Sequence, residues 1–163
     1  MAMAAAIHTG IDGGISLEKW EECSSTSGAI SCPLPAGAPA FKACLDKAET
    51  AGIDDTMFCE AKAFPECFGE FSPKDTQTLL RLCGAQFAIS ARWVAESWLV
   101  DIRASVPKDE LEFFEAEVVT PIFARPYANI SDDPLEASAE RKGSWLSVLH
   151  ALKMINKAIK GEI

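Results

Sequence analysis

Histidine, tyrosine and basic residues are scarce in this 163-residue chain: two His, one Tyr, and 15 Lys+Arg against 24 Asp+Glu. The formal net charge of −9 lacks the basic footprint that nucleic acid and anionic membrane surfaces require, so neither is expected as a partner. The side chain most used for proton transfer near neutral pH is nearly missing. His8 falls in a small-residue N-terminal stretch, and His150 stands at the polar border of an apolar helical stripe; neither reads as catalytic. There is no Gly-x-Ser-x-Gly and no His-Glu-x-x-His. Gly10-Ile11-Asp12-Gly13-Gly14 lacks the strand–helix setting of a phosphate loop.

Uninterrupted apolar runs are missing too. The longest, Leu79 to Ile102, contains Arg81, Arg92, Glu96 and Asp101. Charges are costly at bilayer depth, so no membrane-spanning helix is expected. Met1 to Gly10 has neither a basic flank nor the apolar length of a signal peptide. The expectation is a mature form whose targeting peptide has been removed. Alternating runs of β-branched residues are nearly absent, which excludes a substantial sheet.

What the chain does have is six cysteines, Cys23, Cys32, Cys44, Cys59, Cys67 and Cys83, none in the last 80 residues. No two are closer than seven intervening residues, so the Cys-x-x-Cys of zinc and thiol-redox sites does not occur. Structural disulfides are the expected use, and they imply an oxidising compartment, secreted or lumenal. Six cysteines allow 15 connectivities. Cys44 and Cys59 are nearly equidistant from a turn at Ala51–Gly52, Cys67 and Cys83 flank a turn at Ser72–Pro73, and Cys23 and Cys32 bracket a Ser-rich loop. Sequential pairing follows: 23–32, 44–59 and 67–83.

Helix signals fill the rest. Ser16 caps a helix from Leu17 to Cys23. A second runs from Ala38 to Ala51 and is ended by Gly52. A third spans Asp54 to Ala63, with Asp54 or Asp55 as its cap. Pro65 opens a short turn through Phe71. Ser72-Pro73 starts a long helix to Val106, apolar over most of its circumference and therefore central, with Gly84 as a place where it could bend. Pro107 starts another to Ala124, with Leu111, Phe114, Val118 and Ile122 inward and five acids outward. Asp132-Asp133-Pro134 opens the last, to about Lys160, with Trp145, Val148, Leu149, Leu152, Ile155 and Ile159 expected on its buried face. The expected fold is all-α: a bundle of three long C-terminal helices with a disulfide-stapled set of short N-terminal helices. One domain covers 1–163, with a cysteine-rich segment 1–71 and a long-helix bundle 72–163.

Other patterns have plain structural readings. Ser16-Leu17-Glu18-Lys19 and Ser105-Val106-Pro107-Lys108 match Ser-x-x-Lys, but both sit at helix boundaries and lack companion motifs. The Asp54–Asp55 and Asp132–Asp133 pairs lack calcium-loop spacing and suit helix N-termini. Asn129-Ile130-Ser131 matches a glycosylation acceptor. No metal and no cofactor is expected. Lys153, Lys157 and Lys160 share one face of the last helix, which carries no acid between Glu140 and Glu162. They form the predicted docking surface for an acidic protein partner, unless they pair with the acids of 107–124. The functional expectation is a non-enzymatic accessory subunit or secreted protein-binding protein. The alternatives are a carrier of a small apolar ligand in the helical core and an enzyme of unrecognised type.

Overall fold

A computed structural model describes residues 15–26, 33–68 and 73–162. It is all-α: helices account for nearly all the regular structure, and there is no strand among the described residues. The first helix, α1 (Leu17–Ser25), is capped by Ser16, whose hydroxyl accepts from the Lys19 backbone N–H at 3.2 Å. Then come α2 (Ala38–Lys47), α3 (Ile53–Ala63) and a 3-10 turn, Pro65–Phe68. The long α4 (Pro73–Ser105) follows. The short α5 (Leu111–Phe114) and α6 (Thr120–Ala124) lead into α7 (Pro134–Ile159). Asp133 caps α7 through the Glu136 N–H at 2.9 Å, and Pro134 opens it, as the cap-then-Pro signal predicts.

The bundle has two long C-terminal helices, not three. The segment expected as one helix over 107–124 is a composite. A 3-10 turn (Lys108–Glu110) leads into α5, a π turn (Glu115–Val119) joins α5 to α6, and a second 3-10 turn (Arg125–Tyr127) ends the segment. Pro121 accounts for the irregularity. It has no N–H to give the carbonyl four residues back, and its ring crowds that carbonyl. The chain widens by one residue just before it, with the Thr120 N–H donating to Glu115 O.

α4 and α7 form the spine. They touch where α4 has no side chain. A Cβ at Gly84 would lie 1.8 Å from Ser138 Oγ. Gly84 therefore permits close approach, and α4 continues through it without interruption. Around the spine the core is aromatic. Phe41 of α2 meets Phe64 and Phe87 at centroid distances of 5.9 and 5.4 Å. Trp145 is held edge-on by Phe123 and Tyr127, both at 6.1 Å, which seats the composite segment on α7. α1 packs on α4 through fully buried Trp20 and Leu82. Arg81 ties it there with a two-pronged ion pair to Glu21, at 2.9 and 2.5 Å.

The staples follow chain order. Cys44–Cys59 joins α2 to α3, and Cys67–Cys83 joins the 3-10 turn to α4. The pairing expected for Cys23 and Cys32 falls on Cys32, outside the described residues. So do the Ser72 cap and His8. No described helix is long and apolar enough to cross a membrane.

Candidate functional site

The α2–α3 hairpin is where charge and exposed apolar surface come together. Its helices differ from the sequence expectation at both inner ends. α2 stops at Lys47 rather than Ala51. A helix end leaves carbonyls short of intrahelical donors; Leu45 O accepts from the Ala48 N–H at 3.2 Å, and Lys153 of α7 adds its Nζ to Leu45 O at 2.7 Å and to Asp46 O at 3.3 Å. The same ammonium lies 5.1 Å from the Trp98 ring centroid. The N-cap of α3 is Gly52, not Asp54 or Asp55. Asp55 is drawn back into the connection, where its carboxylate accepts from the Thr50 hydroxyl at 2.7 Å and the Thr50 N–H at 3.3 Å.

Lys153, Lys157 and Lys160 thus lie in different surroundings. Lys153 is a cap for α2, and burial pulls its ammonium below the usual lysine value. Lys157 stands 3.7 Å from the Glu49 carboxylate. Lys160, at the end of α7, is exposed. The acids that meet this basic face come from the α2–α3 hairpin. The acid-rich 107–124 segment instead pairs with α4, through Arg103 and Glu115. One more lysine completes the zipper. Lys142 Nζ is 2.8 Å from the carboxylate of Glu60, a residue only 2% exposed. Burial pushes the Glu60 carboxyl above its ordinary value, against the pull of Lys142. Asp46 shows the opposite balance. Burial would raise it, but hydrogen bonds from Lys42 and from Trp98 Nε1, at 2.8 and 2.7 Å, bring it below the usual carboxylate value.

α3 buries one face and leaves large apolar side chains on the other. Thr56, Cys59 and Glu60 point inward and are buried. On the exposed side, Ile53 and Met57 form an i,i+4 row along one edge, and Phe58 lies across the face, about 100° round the helix from Met57, with Asp54 and Ala61 between them. These three are 64%, 46% and 62% exposed. Lys62 Nζ lies 5.3 Å from the Phe58 ring centroid. Ile53 also borders a groove of about 400 Å³ between Ala51–Gly52 and α7, whose far side is Gly143, Leu146 and His150. His150 is exposed there. The outer face of α3 was missed in the sequence, although a signal is present: with Cys59 held inward, Met57 and Phe58 fall away from the buried side of the helix.

The remaining sequence motifs resolve as structure. Ser16 caps α1, and the Ser105 hydroxyl donates to Asp101 O at 3.3 Å. No group of three His, Cys, Asp or Glu suited to a metal ion occurs among the described residues. Asn129 is exposed and left-handed, with φ 54°, a conformation asparagine tolerates better than most residues. Other concavities open at the surface of the described residues, two of them near sites already named. One, of about 760 Å³, lies between α4 and the composite segment; the other, of about 320 Å³, lies beside the Cys67–Cys83 staple. No family model matches the chain, and no curated protein or solved structure matches it either.

Proposed function

We propose that this is a non-enzymatic protein-binding subunit of an oxidising compartment, which docks its partner on the outer face of α3. The observation that carries the reading is the exposure of Ile53, Met57 and Phe58 on a helix clamped from behind by Cys44–Cys59. Large apolar side chains grouped in solvent cost free energy that a partner would recover, at about 25 cal/mol per Å² covered. A rigid face also loses little entropy on binding. The local charges are mixed, with exposed Asp54 on the face and Lys62 over Phe58, while the chain as a whole carries a net charge of −9. The fitting partner is therefore a protein with apolar anchors flanked by basic residues. Two staples in the described residues support the compartment, because such bonds persist where glutathione does not reduce them.

A photo-reactive residue at Phe58 should capture a partner in the source cells, and the purified pair should then bind in vitro. Phe58→Asp should weaken that reconstituted complex at least tenfold with the melting temperature unchanged. Lys160→Glu tests the basic end of α7 in the same assay. A complex indifferent to Phe58→Asp, but lost with Lys160→Glu, would move docking to α7. Alkylation of thiols in intact cells before lysis checks the compartment, since cysteines found reduced there contradict it.

A further inference from the structure

Resting on the reading of the outer face of α3 as a docking surface, we propose that its occupant is a second copy of this chain, held in an antiparallel, two-fold pairing of the α3 helices. At about 100° per residue, the exposed arc of α3 runs, in angular order, Ile53, Met57, Ala61, Asp54, Phe58 and Lys62. Its midline is Asp54, Met57, Phe58 and Ala61, spaced i, i+3, i+4 and i+7, the spacing of a helix-pairing seam. The two large side chains hold the centre of that seam. The charges stand at opposite ends: Asp54 in the first turn and Lys62 in the last. Ala61 is small, which lets a second helix come close.

Such a face complements itself when the second helix runs the other way. With the two-fold axis between Met57 and Phe58, Asp54 lies about 5 Å to one side along the helix and Lys62 about 7 Å to the other, at 1.5 Å per residue. Turning the second helix end for end therefore brings its Lys62 beside Asp54. Symmetry repeats the pair, and Met57 meets Phe58 twice across the axis. A parallel pairing would set Asp54 against Asp54 and Lys62 against Lys62, and would align the helix dipoles unfavourably. Lys62 lies 5.3 Å from the Phe58 ring centroid of its own chain, so each copy presents an apolar anchor flanked by a base. The Cys44–Cys59 clamp holds the face from behind, and little freedom is lost on pairing. Two chains of net charge −9 repel at long range. At physiological salt that field is screened beyond about 8 Å, whereas the paired charges are in contact. A contact made by one helix from each chain is below the size of a stable interface, so the dimer is weak and depends on concentration.

Sedimentation equilibrium of the oxidised full chain tests this, in about 0.15 M salt and between about 10 μM and 1 mM protein. The mass should rise from one chain towards two. Phe58→Asp should weaken the association at least tenfold. Asp54→Lys and Lys62→Asp each turn two attractive pairs into two repulsive ones, and each should weaken it about fivefold or more. Mixed one to one, these two variants should form a heterodimer about as tight as the native pair, because each supplies the charge that the other lacks. Variants that had lost their fold could not be restored by mixing. A single chain at every concentration, association indifferent to Phe58→Asp, or charge reversals that mixing does not repair would each overturn the proposal. A photo-reactive residue at Phe58 separates it from the docking reading itself. Cross-links between two copies support both. Capture of a different protein by a chain that stays single overturns the second copy alone, and no cross-link at all overturns both.

Discussion

Gly84→Ala is expected to destabilise the protein, although the same change in a free helix is stabilising. Replacing glycine by alanine in a helix interior gains about 0.5–1 kcal/mol from reduced backbone entropy in the unfolded chain. Here the added Cβ would meet Ser138 Oγ at 1.8 Å and Ser138 Cβ at 3.2 Å. Something must move, and both helices are long and packed along their length. Overfilling a close-packed contact costs about 1–3 kcal/mol. The net loss is therefore up to about 2.5 kcal/mol, centred on about 1 kcal/mol, or a melting temperature lowered by up to roughly 10 °C in a chain of this size. Ser138→Ala separates the two contributions. It removes the hydroxyl that clashes, and its only other described contacts are long, 3.5 Å to Leu80 O and Arg81 O, so alone it should cost under about 1 kcal/mol. In the double variant the 3.2 Å contact is tight but tolerable, and the propensity gain should emerge. Gly84→Ala should then be neutral or stabilising, a coupling of about 1–3 kcal/mol. Urea unfolding of the four proteins measures it. If Gly84→Ala has the same effect with and without the Ser138 hydroxyl, the close approach of α4 and α7 is not what glycine serves there.

Three other perturbations have defined outcomes. Replacing Cys44 and Cys59 together by alanine should cost about 3 kcal/mol for a loop of this length, given their sequence separation of 15; a loss under about 1 kcal/mol in chemical denaturation would show that α2 and α3 hold without the clamp. Lys153→Met keeps the alkyl stem but removes the ammonium donor from Asp46 O and from Leu45 O, which retains the Ala48 N–H, and should cost about 1 kcal/mol; hydrogen exchange at the end of α2 should speed up, and unchanged exchange there would refute the capping role. Glu60 titrates above the ordinary 4.5 in the folded protein. The native state then holds a proton that the unfolded chain releases, so stability falls as pH rises from 4.5 through the raised value. Glu60→Gln should flatten that slope, and parallel slopes for the two proteins between roughly pH 4 and 7 would rule out this assignment.

The features legible in the sequence rest on neighbours along the chain. Ser16 and Asp133–Pro134 cap helices through N–H groups three residues away, and Cys44 and Cys59 face one another because a turn lies midway between them. The features that were not legible rest on distant residues. Lys153 ends α2 from 107 and 108 positions away, and Lys142 reaches Glu60 across 82. No local pattern marks either. The break-up of 107–124 lies between these cases. Pro121 is plainly visible, but a stripe of Leu111, Phe114, Val118 and Ile122 reads as regular helix, and only the structure shows the π turn that reconciles the two. The docking expectation for Lys153, Lys157 and Lys160 assumed that a basic stripe faces solvent. Charge on an amphipathic border is equally suited to bridging to a neighbouring hairpin, and the stripe alone does not distinguish these.

The order of the staples bears on how the protein is made. Each joins cysteines that are consecutive among those of the described residues, so each loop can be closed once its second cysteine has emerged. Lys153 is synthesised 70 residues after Cys83 (153 − 83), a delay of about 4–14 s at usual translation speeds. Where oxidation keeps pace with synthesis, both covalent links form before α7 arrives to complete the core. The last helix then docks on a partner whose pairings are already settled, instead of competing with wrong ones.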